Sequence, residues 1–115
     1  MRLKKKKAIA LLFRKGTRKT IGTLLFCYLP LPSLKKDQVL IAVPKKQVKK
    51  ATQRNLIKRR IREAYRIQQA SRTSYAPQHL LAYIYLGNQE KKSMTYASLA
   101  ASISQSFLFL GGVTR

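Results

Sequence analysis

The hydrophobic pattern of this chain changes between helical and extended spacing along its length. Near the N-terminus, Ile9, Leu12 and Phe13 recur at i, i+3 and i+4, which is the spacing of one helix face. Gly16 follows them and is a natural helix stop. A helix is therefore predicted over residues 4–15.

Segments rich in β-branched and aromatic residues predict three strands, and two further helices lie between and after them. The segment 38–43 contains five consecutive apolar residues, so we expect a central strand that is buried on both faces. The last helix has Thr95 or Ser93 as its expected N-cap. The predicted elements are helices over 4–15, 51–67 and 94–109, and strands over 21–29, 38–43 and 79–86.

This order, α-β-β-α-β-α, predicts a mixed α/β (α+β) fold. We expect a two-layer sandwich in which about three helices pack on a small, mostly antiparallel sheet, with a possible extra short strand. A length of 115 residues suits one domain over 1–115.

The net charge of +22 indicates what kind of partner the protein binds. Twenty-five Lys and Arg stand against Asp37, Glu63 and Glu90, so a polyanion is expected to neutralise the surface. Nucleic acid is the leading candidate and an anionic membrane surface the lesser one. Residues 1–19 and 45–66 together hold 19 of the 25 cations. If the fold brings these segments together, they form one broad basic surface.

Other features narrow the class of protein. No apolar run reaches the roughly 18 residues of a membrane span. The N-terminal apolar run "AIALLF" is shorter than the core of a signal peptide, so it is interpreted as mature sequence. A single cysteine, Cys27, cannot form an internal disulfide, which fits a reducing, cytoplasmic setting.

The helix predicted over 51–67 separates an apolar face from a basic one. Ile57, Ile61 and Ala64 fall on the apolar side, with the spacing of a packed helix. Same-sign neighbours four residues apart destabilise a helix, so nucleic-acid contact is favoured over a merely solvated surface. The basic row presents cations about 6 Å apart and consists of Lys58, Arg62 and Arg66.

The segment "KKATQRNLIKRRIREAYR" (49–66) resembles the signature of the bacterial ribonuclease P protein subunit. That family carries an Arg-Asn-Arg-x-Lys-Arg-x-x-Arg pattern on a helix after a central strand ending in Lys-Lys. Leu56 departs from the pattern, which usually has Arg there, and Ile9 stands at a first-helix position that is often Phe. The RNA-binding residues that the resemblance implies are Lys45, Lys46, Arg54, Asn55, Lys58, Arg59 and Arg62, with Arg14 and Lys15 from the first helix.

The resemblance implies the protein subunit of a tRNA-maturing endonuclease whose RNA subunit performs the cleavage. The protein would bind ribonuclease P RNA and the 5′ leader of precursor tRNA, as a monomer in a one-to-one complex in the bacterial cytoplasm. Magnesium would be bound mainly by the RNA. The family fold also implies a left-handed βαβ crossover, against the usual rule.

A basic groove with aromatic platforms is the usual site for single-stranded RNA, and the family places it between the first helix and the sheet. The candidate aromatic residues are Phe13, Phe26 and Tyr28. The family's strand aromatic aligns with Cys27, so either the register slips by one residue or this stacking contact is missing. For Phe13, core packing and stacking both remain open.

The chain offers little for catalysis by the protein itself. Two-metal hydrolysis needs converging carboxylates, and the three acids are widely separated in sequence. Glu63 lies among arginines and is interpreted as a helix ion pair, while His79 and Cys27 are expected to be structural. No catalytic residue is therefore predicted. The alternative function is a basic ribosomal or RNA-chaperone protein with no part in cleavage.

Overall fold

The computed structural model describes residues 6–31, 37–70, 79–87 and 95–110, and these form one sheet with helices on both of its faces. The helices are α1 (Lys6–Lys15), α2 (Ala51–Ala70) and α3 (Tyr96–Ser106), which continues into a 3₁₀ turn (Phe107–Leu110). The strands are β1 (Thr17–Ile21), β2 (Leu24–Pro30), β3 (Gln38–Ala42) and β4 (His79–Tyr85).

The strands lie in the order β1-β2-β4-β3. The β1–β2 and β2–β4 pairs are antiparallel, whereas β3 and β4 are parallel and are joined through α2. The predicted small, mostly antiparallel sheet with three helices is confirmed. The left-handed sense of the crossover stays a prediction.

Alternation along the strands gives the sheet two different apolar faces. Phe26 and Tyr83 point into a large core that is covered by α2 and α3. Cys27 and Ala82 point the other way, into a small core with Leu12 of α1. The domain therefore has three layers instead of the predicted two, because the period-2 pattern buries both faces of the inner strands.

The single strand predicted over 21–29 is a hairpin of β1 and β2, which supplies the extra short strand. Gly22 in its turn has a φ of +56°, which favours glycine, and a Cβ there would meet Ser102 Oγ at 2.7 Å. The first four residues of β1, Thr17 to Thr20, are all exposed and polar. A strand without a buried alternate position gives no periodic signal, which explains why β1 was not predicted in full.

The predicted central strand, β3, lies at an edge of the sheet, and β4 lies between two neighbours. Most of β3 is only partly buried, whereas Leu80, Leu81, Ala82 and Tyr83 of β4 are fully buried. The apolar run of β3 correctly indicated contact with both cores, because Val39 enters the large one and Leu40 packs on the small one. It did not determine which strand has two partners.

The helix ends differ slightly from prediction. The second helix continues to Ala70, three residues beyond the predicted end. Thr95 is confirmed as the N-cap of α3, since its Oγ1 accepts a hydrogen bond from the Ser98 N–H at 3.2 Å. The other N-cap candidate, Ser93, lies outside the described residues, as do positions 4 and 5 of the first predicted helix.

Candidate nucleic-acid interface

The long helix α2 is amphipathic in the predicted sense. Ile57, Ile61 and Ala64 have no exposed surface and pack in the large core. On the solvent side lies a set that we name the α2 basic face, in which three side chains are exposed and Lys58 is half-buried. It consists of Asn55, Lys58, Arg59 and Arg62.

The connection from β3 to α2, residues 45–50, is a second source of positive charge, which we name the basic loop. Lys45 and Lys46 are exposed in a turn, where the N–H groups of Gln47 and Val48 both donate to the Pro44 carbonyl. Val48 is fully buried in the large core and so anchors the loop. The lysine pair therefore lies in a short turn after β3 and is not the end of the strand itself.

Arg54 has a role that its sequence motif did not reveal. Its Nη1 donates to the Val48 carbonyl at 3.0 Å and to the Lys49 carbonyl at 2.6 Å. The side chain is half-buried, and it ties the basic loop to the first turn of α2. Arg54 therefore holds the loop lysines in place, in addition to carrying charge of its own.

The start of α2 also carries the positive end of the helix dipole. There is no acidic residue in its first turn to oppose that field. Lys49 and Lys50 are exposed immediately before the helix. Together they make this end of the molecule attractive to phosphate groups.

The predicted ion pair of Glu63 is confirmed, and its partner is Arg66. Arg66 Nη2 lies 2.6 Å from Glu63 Oε2, and Arg66 Nε donates to the other carboxylate oxygen at 3.2 Å. This hydrogen bond lowers the pKa of Glu63 below its usual value. Arg66 is thereby neutralised locally, so it is left out of the α2 basic face.

Arg14 and Lys15 are exposed at the end of α1, on the opposite side of the sheet from α2. Next to them, Arg18 of β1 donates from Nη2 to the Phe13 carbonyl at 2.7 Å. The fold therefore does not merge the α1 and α2 cations on one face of the sheet. Arg18 was not among the predicted RNA-binding residues, because it lies in the exposed part of β1 that gives no periodic signal.

The structure corrects two of the aromatic candidates. Phe26 is fully buried in the large core, where it stacks on Tyr28 and Tyr83 at centroid distances of 5.1 and 5.0 Å. Tyr28 is partly buried on the same side of the sheet and stacks on Phe109. Neither ring reaches the face that α1 covers, because alternation turns both away from it.

Cys27 occupies the sheet position that faces α1. It is fully buried and its Sγ lies 3.5 Å from the Leu12 carbonyl, and burial raises the pKa of this thiol. Of the two alternatives, this geometry favours a missing stacking contact, because Cys27 faces α1 and Phe26 and Tyr28 do not. Phe13 is half-buried against the small core, which leaves part of its ring accessible.

The described carboxylates are engaged in structural contacts. Asp37 is buried, and it accepts hydrogen bonds from the His79 backbone N–H at 2.8 Å and the Tyr65 hydroxyl at 3.4 Å. Glu63 is paired with Arg66. Within the described ranges, no three His, Cys, Asp or Glu side chains are grouped closely enough to hold a metal ion. No helix of those ranges is both long and apolar enough to cross a bilayer.

A model of the ribonuclease P family matches residues 1–109 of this sequence. The chain belongs to the ribonuclease P family. Its role is that of the protein subunit of ribonuclease P, with ribonuclease P RNA as partner. Nothing in the family match or in the solved structures supports the ribosomal or chaperone alternative.

Solved ribonuclease P proteins share this fold. The Staphylococcus aureus protein is 23% identical, with a TM-score of 0.75 over 94% of this chain and 93% of that one. The Thermotoga maritima protein is 19% identical, also with a TM-score of 0.75, over 97% of this chain and 99% of that one. The comparison with curated proteins gave no significant match.

Proposed function

We propose that this ribonuclease P protein binds its RNA subunit through the α2 basic face and the basic loop. Exposed Arg59 and Arg62 on a helix whose opposite face is fully buried are the observation that supports this most directly. A rigidly seated helix presents these guanidinium groups from a fixed backbone, and each can fork onto phosphate oxygens.

The 5′ leader of precursor tRNA is proposed to bind on the α1 side of the sheet. Arg14 and Lys15 supply charge there, and the half-buried Phe13 supplies the one predicted aromatic ring on that side. With cations on both sides of the sheet, one protein can touch two RNAs at once and reduce the repulsion between their phosphates. The complex is proposed to contain one protein and one RNA subunit and to act in the bacterial cytoplasm.

Cleavage itself is assigned to the RNA subunit, with magnesium bound mainly by RNA. The described carboxylates of the protein do not fit a metal site, because Asp37 is buried in hydrogen bonds and Glu63 is held by Arg66. In this proposal the protein contributes charge neutralisation and substrate affinity, and the described carboxylates take no part in the hydrolysis.

Cleavage of a 5′-extended precursor tRNA at low magnesium tests the proposal directly. A bacterial ribonuclease P RNA is assayed under multiple turnover with and without the protein. We expect cleavage at the mature 5′ end only when both components are present. Tight RNA binding without rescue of the cognate RNA would contradict the proposal, and cleavage by the protein alone would contradict the assignment of catalysis to RNA.

The leader assignment predicts a selective effect of Phe13→Ala. Loss of a stacking ring should weaken binding of precursor tRNA by about 1–3 kcal/mol and leave mature tRNA nearly unaffected. The measurement is the dissociation constant of the assembled holoenzyme for each tRNA, with the free energy of unfolding as control. Equal losses on both tRNAs would show that Phe13 acts only through packing.

A further inference from the structure

An open groove lies between the middle of α2 and the first turn of α3, on the large-core side of the sheet. Its volume is about 440 Å³, and it is lined by Leu56, Arg59, Arg60, Glu63 and Tyr96. That size is within the roughly 300–1,000 Å³ of small-molecule sites. It is therefore large enough for a planar group the size of a nucleobase.

The groove combines an apolar platform with polar groups at its margins. Tyr96 is 38% exposed and Leu56 is half-buried, so both keep apolar surface open to solvent. Leu56 stands where the family motif usually has Arg, which makes this wall apolar in the present chain. An aromatic ring beside an aliphatic side chain is suited to stacking, and every base has a π-face to offer.

The groove is continuous with the proposed RNA contact, because Arg59 belongs both to the α2 basic face and to the groove lining. A strand whose phosphates follow α2 therefore passes the groove opening. Arg60 and Glu63 also line the groove, and the Glu63 carboxylate is already paired with Arg66. The apolar platform of Leu56 and Tyr96 therefore suits a base, and the exposed guanidinium of Arg59 suits the phosphate of the same nucleotide.

The walls of the groove are held in place by the packing of α2 on α3. Thr95 caps α3 directly before Tyr96, accepting the Ser98 N–H at 3.2 Å. Further along, Gln68 Nε2 of α2 donates to the Ala100 carbonyl of α3 at 3.0 Å. The platform is therefore preorganised and needs little ordering to receive a ligand.

We propose that this groove binds an unpaired base of the ribonuclease P RNA, stacked on Tyr96 and Leu56 with its phosphate on Arg59. The inference rests on the proposed function, and it adds a base-binding site to a contact otherwise made with phosphates. Stacking is far less salt-dependent than phosphate contact, which separates the two experimentally.

The test compares Tyr96→Ala and Tyr96→Phe in the full chain by titrating binding of the ribonuclease P RNA over a range of salt concentrations. Tyr96→Ala should weaken binding about five- to hundredfold at every salt concentration, with the slope of log K against log salt unchanged. Tyr96→Phe keeps the ring and should bind as the parent does. Leu108→Ala, at an exposed apolar side chain of the 3₁₀ turn, is the matched control and should have no effect.

Three outcomes would each overturn the base-binding site. Tyr96→Ala could bind RNA as the parent does, it could lose as much affinity as Leu108→Ala, or its loss of affinity could come with a shallower salt slope. The low-magnesium cleavage assay is run on the same preparations. Rescue by the parent protein together with parent-like binding by Tyr96→Ala overturns the groove alone. Absence of rescue by the parent overturns the proposed function and the groove with it.

Discussion

Helices α1 and α2 both turn cations toward solvent, but the sheet holds them differently. The α2 helix has four buried residues along its 20-residue length, whereas α1 has ten residues and buries only Leu12 fully. A short helix isolated from its packing is unstable in water, so α1 depends on this one anchor and its half-buried neighbours. The two basic surfaces therefore differ in rigidity as well as in position.

The cations also lie differently in the two helix dipoles. Arg14 and Lys15 occupy the last turn of α1, where positive charge stabilises a helix. The α2 helix has no basic residue in its last turn and no acid in its first, and Arg54 lies near its positive end. Cations in α1 can thus be explained partly by helix stability. Lys58, Arg59 and Arg62 lie in the middle of α2, beyond the reach of either end of its dipole, so helix stability does not account for them and a role in binding phosphate is favoured.

The largest effect that tests this comparison is expected from Leu12→Ala set beside Ile61→Ala. Each removes a fully buried side chain and should cost about 2–5 kcal/mol of the stability of the part of the molecule that it anchors. The anchors differ, so Leu12→Ala should release α1 locally and leave α2 protected, while Ile61→Ala should lower the stability of the whole domain. Hydrogen exchange of the amides in each helix measures this. Uniform loss of protection in both variants would show that α1 is no weaker a unit than α2.

The second test concerns charge. Replacing Lys58, Arg59 and Arg62 together with Ala should weaken binding of the RNA subunit by about 1–3 kcal/mol. The slope of log K against log salt should become shallower by about 0.7–0.9 for each phosphate that the variant no longer neutralises. The matched control is Arg14→Ala with Lys15→Ala, on the other side of the sheet. An unchanged slope in the triple variant, or an equal change in the control, would contradict the separation of the two surfaces.

Much of this architecture follows from local pattern. The spacing of Ile57, Ile61 and Ala64 correctly predicted the buried face of α2, and the polar residue before α3 correctly indicated its N-cap. Alternation also implied that Cys27 and Phe26 point to opposite faces, which the structure bears out. These features depend only on helix and strand periods, so a sequence determines them.

The rest depends on contacts that a sequence does not encode locally. An apolar run shows that β3 touches both cores, but strand order decides that it is an edge. Exposed β1 carries no periodic signal at all. The sequence does not distinguish an arginine that donates to backbone carbonyls from one that binds phosphate. Only the loop conformation therefore reveals the contacts of Arg54.

Arg54 provides the third test, because it links the loop and the helix on the α2 side. Arg54→Ala removes two hydrogen bonds from a half-buried guanidinium and should cost about 1–3 kcal/mol of unfolding free energy in the absence of RNA. Arg54→Lys keeps the charge, but its ammonium sits on a shorter side chain and does not reproduce the position of Nη1 between the two carbonyls, so it should be nearly as destabilising. Chemical denaturation measures both. If Arg54→Lys keeps full stability and only RNA affinity falls, Arg54 is a phosphate ligand instead of a loop anchor.

The smallest effect concerns Glu63, the acid that interrupts the basic exterior of α2. Its pKa is lowered chiefly by the hydrogen bond from Arg66, so the pair contributes stability above the unfolded pKa of the carboxyl and loses it as pH falls through the folded pKa. Arg66→Gln should return the pKa of Glu63 toward its usual value near 4.5, as measured by NMR titration of the carboxyl carbon. Arg62→Gln, on the same helix, is the control and should leave it lowered. A lowered pKa that survives Arg66→Gln would mean that the whole cationic field of α2, and not one partner, acts on Glu63.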